Sequence, residues 1–154
     1  MGGVEVTDYG YRLTLSEFAD TGEVTALLQE IRRRLRTQPE SPSAVLVDLR
    51  CTRALPAETQ ERFRSCFTEL AKAGVQRQAL VVSSPITLLQ ARRLMREAGV
   101  GPLCRYFDPA SEPEWELFAV QWLAHGIEPP EVDDLPEEEN GGNEGDDDRR
   151  DETF

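Results

Sequence analysis

Two short loops hold most of the side chains with chemical capacity. Arg50-Cys51-Thr52-Arg53 follows an apolar run that ends at Asp48, and Ser83-Ser84-Pro85 ends a second apolar run and opens a helix. In open α/β sheets ligands gather beyond the carboxyl ends of parallel strands, and helix N-termini hold anions through free amides and the dipole. Asp48, Arg50, Cys51, Thr52, Arg53, Ser83 and Ser84 are therefore the candidate residues of an anion or partner contact. The simpler alternatives are a solvated loop in which Asp48 accepts from nearby amides, and ordinary N-capping by Ser84. Reaction chemistry finds less support. His125 is the sole histidine and sits just before Gly126, so no Ser-His-Asp or Cys-His triad can be assembled around it or around Cys51. A single His makes no metal site, and neither a Walker loop nor GxGxxG is present. Asp146-Asp147-Asp148 lacks the alternating ligand spacing of a calcium loop. The expectation is a chain without catalysis, cofactor or metal.

Charge divides the chain in two. The 154 residues carry a formal net charge of −12. Residues 1–126 hold 16 acids and 15 bases, and residues 127–154 hold 13 acids against Arg149 and Arg150. The acidity belongs to a tail, which argues against a surface adapted as a whole to high salt. Sixteen of the 17 basic residues are Arg, a codon preference of a GC-rich genome more than a nucleic-acid signature. Cys51, Cys66 and Cys104 are odd in number and widely spaced, so reduced thiols and a cytoplasmic location are expected. No apolar run approaches ~18 residues, and no signal segment follows the first Met.

The elements that must position the two loops follow from periodicity. Val4–Val6 and Tyr11–Leu15 alternate apolar with polar around Asp8-Tyr9-Gly10, which predicts a hairpin with one wet face. Asp20 and Thr21 precede a helix striped by Val24, Leu27, Leu28, Ile31 and Leu35, with Arg32, Arg33, Arg34 and Arg36 crowding its end. Ala44–Leu49 reads as a central strand covered on both faces. Pro56 opens a helix with a Phe63, Cys66, Phe67, Leu70 stripe that Gly74 ends. Ala79–Val82 is a second central strand, and Ser84-Pro85 starts a helix carrying Ile86, Leu89, Leu94 and Met95. The order ββαβαβαβα demands an α/β fold: a mixed, mostly parallel sheet of about five strands with four helices. From Ile127 onward Gly, Asn, Asp and Glu dominate. A segment so polar and charged does not offset its ordering entropy, and disorder is expected over 127–154, with a reach of about 30 Å as a flexible coil. A solubilising extension is the plain reading of the tail, and docking on a basic partner the alternative.

Cys104-Arg105-Tyr106-Phe107 closes the series as a short strand. Ser111-x-x-Glu114 then has the spacing of a capping box, before Trp115, Phe118, Ala119, Trp122 and Leu123 at helical intervals. Trp115 and Trp122 share a face, as a core stripe or as the lining of a ligand groove. Read with Val45–Leu49, this order resembles the end of a STAS-type domain, the module of anti-sigma-factor antagonists and sulfate-transporter tails, and is similar to its stand-alone SpoIIAA-like branch. The resemblance covers residues 4 to 125. It implies a non-enzymatic regulatory domain that acts on a protein partner such as a switch kinase. By way of SEC14-like relatives it implies, as the alternative, a carrier of a small apolar molecule. Homodimerisation is left open, and neither a nucleic acid nor a membrane span is implied. The regulatory proteins carry a motif like Asp-Leu-Ser…Asp-Ser-Ser-Gly. Laid on from Asp48, its acceptor serine falls at Ala57, within Pro56-Ala57-Glu58-Thr59. The chain lacks that hydroxyl, and Thr52 and Thr59 are the nearby ones.

Overall fold

A computed structural model describes residues 2–40 and 42–130; the expected disordered tail from residue 131 onward lies outside the described residues. Ten elements alternate as the periodicities require: β1 (Gly3–Val6), β2 (Gly10–Thr14), α1 (Thr21–Thr37), β3 (Ala44–Asp48), α2 (Ala57–Lys72), β4 (Gln78–Val81), α3 (Pro85–Glu97), a 3₁₀ turn (Gly101–Leu103), β5 (Cys104–Phe107) and α4 (Trp115–His125). The sheet order is β1-β2-β3-β4-β5, with β1 antiparallel to β2 and every other pair parallel.

That sequential order decides where the helices go. Right-handed crossovers that step one way across a sheet place their helices on the same face. Accordingly α1, α2 and α3 pack together over Leu13, Val45, Val47 and Leu80. Only α4, which follows the last strand, is free to return over the other face. There Trp115, Ala119, Trp122 and Leu123 bury against Leu46, Ala79, Val81 and Phe107. The two tryptophans are thus core, and Trp122 Nε1 donates to the Gln78 carbonyl at 3.0 Å. β3 and β4 are buried along their whole length because they are covered twice. The same face of the hairpin stays wetter, with Glu5 exposed and Arg12 and Thr14 half-buried.

The helix boundaries follow their capping chemistry. The Asp20 carboxylate accepts from the Glu23 amide at 2.8 Å and starts α1. Ser84 caps α3 through the Thr87 amide, with Pro85 in its first turn. Gly126 ends α4 in the left-handed region at φ 69°. Two expectations are corrected. Ser111 and Glu114 form no capping box: Glu114 itself occupies the N-cap position of α4 and makes no side-chain cap bond. The loop before it is organised by Asp108, whose carboxylate accepts from the Ala110 amide and whose carbonyl accepts from the amides of Ser111 and Glu112. Leu89 and Ile86 do not face the sheet. The inward stripe of α3 is Leu88, Ala91, Leu94 and Met95, so Leu89 is turned about 100° away, leaving it 44% and Ile86 73% exposed.

Candidate functional site

Parallel pairing brings the ends of β2, β3 and β4 to one edge, where the Leu15–Asp20, Leu49–Pro56 and Val82–Ser84 segments lie side by side. Asp48 is the last residue of β3 and points to the α4 face. A carboxylate buried there needs cations and donors, and it has them. One carboxylate oxygen accepts from the Arg50 amide and Arg50 Nε, each at 3.0 Å. The other accepts from Arg50 Nη2 at 2.8 Å and from Arg12 Nη2 at 2.9 Å. Burial pushes the Asp48 carboxyl up, but the bonds from Arg50 and Arg12 outweigh it and hold the pKa at about 2. Arg50 also stacks over Trp115, its guanidinium carbon 4.9 Å from the ring centroid. Arg12 reaches Glu116 of α4 at 3.6 Å. This carboxylate is saturated with donors and stays ionised at neutral pH, so it has no capacity to act as a general base.

The other candidates divide into framework and surface. Ser83 donates to the Arg50 carbonyl at 2.8 Å, which joins the two loops into one edge. Thr52 is buried and donates to the Leu15 carbonyl. Ser84 is spent on its cap. Cys51 is exposed at the tip of the first loop. Arg53 turns away from Asp48 to Glu17, with Nε 2.8 Å from its carboxylate, and its guanidinium covers the Phe18 ring at 5.4 Å. The structure therefore unites Asp48, Arg50 and Ser83, and separates them from Arg53.

Sequence reading did not single out Arg12, Glu116 or Phe18. Arg12 could have been suspected, because a buried strand-end Asp needs more cation than one loop arginine. Phe18 lay in the link between β2 and α1, where no periodicity marks a face. It is the most informative of the three. Phe18 is 73% exposed, and Arg53, which covers it, also borders Thr87 and Gln90 at the start of α3, next to Ile86 and Leu89. The carboxyl edge thus presents an exposed aromatic ring under an arginine, and the first turns of α3 leave Ile86 and Leu89 exposed as well. At the neighbouring start of α2, Pro56 is the N-cap and supplies no side-chain bond, and Thr59 is buried.

Among the described residues no cluster of three or more His, Cys, Asp or Glu side chains could hold a metal, and no helix is long and apolar enough to cross a membrane. Neither a protein-family profile nor a curated protein matches the chain. A solved structure does: that of the anti-sigma factor antagonist SpoIIAA in its unphosphorylated form. It superposes with a TM-score of 0.50 over 76% of this chain and 96% of that one, at 14% identity. The fold is STAS-like, of the SpoIIAA type.

Proposed function

We propose that this chain is a regulatory protein-docking module whose carboxyl edge receives a protein partner. The observation that carries the reading is Phe18, an aromatic ring left 73% exposed under Arg53 on an edge whose polar groups are already paired internally, with Ile86 and Leu89 also exposed on α3. Isolated exposed apolar residues are ordinary, but a large exposed aromatic beside an arginine is the pairing enriched at interface centres. The shared fold with an anti-sigma factor antagonist supports the same use of the domain. The module works without the usual phosphoacceptor. Ala57 opens α2 where the serine of the regulatory motif would fall, while Thr52 and Thr59 are 9% and 3% exposed, too enclosed for a kinase. A permanently charged helix start, with exposed Glu58 in its first turn, replaces the switch. An apolar-ligand carrier fits less well, because the apolar hollow between Leu49, Phe63 and Leu94 offers about 10 Å³, room for about one water, and the roomier cleft at the opposite end of the sheet is lined largely by polar side chains.

The test is crosslinking in the host with wild type, a Phe18→Ser/Ile86→Ser variant and a Leu117→Ser control on α4. A partner kept by the control and lost by the double variant is expected, and its binary affinity for the purified proteins should fall about tenfold or more. A partner indifferent to Phe18 and Ile86 overturns the docking reading. Stoichiometric phosphate on Thr52 or Thr59 would restore the switch.

A further inference from the structure

The opposite end of the sheet holds a cleft that docking at the carboxyl edge does not use. It lies between the β1–β2 turn, the segments leading into β3 and β4, and the last turn of α4, and encloses about 300 Å³. At roughly 20–30 Å³ per heavy atom with its share of free space, this suits a ligand at the small end of ordinary binding sites. Arg77, Gln76, His125, Asp8, Ser43 and Tyr9 give it polar lining, and Ala44 and Leu123 contribute apolar wall.

Arg77 is the informative member. It is half-buried, and among the described residues no carboxylate pairs with it. Its Nε donates to the Leu123 carbonyl at 3.3 Å, and its Nη1 lies 3.2 Å from where a Cβ on Gly126 would stand. The guanidinium is thus held at the end of α4 by one bond, while neither Nη donates to any partner among the described side chains or carbonyls. A helix C-terminus explains one bond from an arginine. It does not explain why the fork end stays unpaired beside a cleft, in a chain where Arg12, Arg32, Arg33, Arg34, Arg50 and Arg53 all meet acids. A planar fork of N–H donors fits a carboxylate bidentately. His125 and Gln76 add donors, and the single carboxylate of Asp8 sets the charge balance against a polyanion.

We propose that this cleft binds a small organic carboxylate, with Arg77 holding the carboxylate head and the apolar wall at Ala44 and Leu123 receiving its body. The site is independent of the carboxyl edge, so it stands or falls apart from the docking reading.

The probe is benzoate, titrated into the full chain and followed by amide chemical shifts, with benzamidine as the cationic counterpart. Saturating shifts at Arg77, Ala44 and His125 are expected within about 20 mM, the range suited to so few atoms, and none with benzamidine. Arg77→Gln should weaken benzoate about tenfold or more, the value of a charge-assisted bond. If Arg77→Gln does not fold, Arg77→Lys keeps the charge without the fork and should also weaken it. Absence of saturating shifts in the wild type overturns the assignment. So does benzoate binding unchanged in a folded Arg77 variant, or equal shifts with benzamidine.

Discussion

Asp48 is where pH should act on this protein. Its folded pKa of about 2 lies below the ordinary 3.8. The stabilisation it contributes is therefore complete above about pH 4 and is lost as pH falls toward 2, a difference of about 2 kcal/mol. Asp48→Asn should cost roughly 2–3 kcal/mol at neutral pH, because Arg12 and Arg50 lose their shared counter-charge. It should also flatten the acid limb of stability. Urea unfolding at neutral pH and near pH 3 checks both, and a variant as acid-sensitive as the wild type would show that another group sets the limb. The cysteines make a second residue-scale case. Burial pushes both the Cys66 and the Cys104 thiol up to about 12, and only Cys51 is exposed. A maleimide at neutral pH should modify one thiol in the native protein and all three after unfolding, as counted by intact mass. Native labelling of Cys66 or Cys104 would reveal opening of the core under α2 or at β5.

At the scale of elements, the alternation of strands and helices was legible because each carried its own punctuation. Asp20, Ser84 and Gly126 mark helix ends by local chemistry that tertiary packing did not need to override. The facing of α3 was not legible. Ile86, Leu88, Leu89, Ala91, Leu94 and Met95 offer apolar residues on more than one side, and only the position of α2 decides which side turns in. Ser111 and Glu114 have the spacing of a capping box, yet the Asp108 carbonyl, closing an earlier turn, holds the Ser111 amide that the Glu114 side chain would have taken. Part of the candidate edge was legible too, since Asp48 with the following Arg50 is a local pair. Arg12 was not, because the β2–β3 register sets Thr14 opposite Asp48 and makes Arg12 its diagonal neighbour. The α3 facing makes a sharp prediction. Phe67, fully buried and in edge-on contact with Phe63 at 4.8 Å, should cost about 3–5 kcal/mol as Phe67→Ala. Leu89→Ser should stay within about 0.5 kcal/mol of wild type. Chemical denaturation of the two proteins side by side decides it, and a heavily destabilised Leu89→Ser would turn α3 back toward the sheet.

For the molecule as a whole, the question is what the acidic extension contributes to the domain. The described chain does not stop at the helix: the Ile127 amide donates to the Gln121 carbonyl, and the Glu128 carboxylate pairs with Arg105, which itself stacks on Trp122 at 3.9 Å. These contacts fasten Ile127 and Glu128 beside β5, so the expected boundary after Gly126 is tested by comparing it with one after Pro130. Beyond it lie 12 acids, Arg149 and Arg150, and few apolar side chains, while residues 1–130 carry only −2 of the net −12. Repulsion within the extension is its own affair, and a segment that buries little apolar area contributes little to folding. Truncation after Pro130 should therefore leave the melting temperature within about 2 °C of wild type, since less than about 0.5 kcal/mol is at stake in a domain of this size. Truncation after Gly126 should cost more, through loss of the partner of Arg105 and of the Ile127 backbone bond. Calorimetry on the full chain and the two truncations separates these outcomes. A large fall in melting temperature already at Pro130 would mean that the acidic segment packs on the body, and would move the domain boundary to the end of the chain.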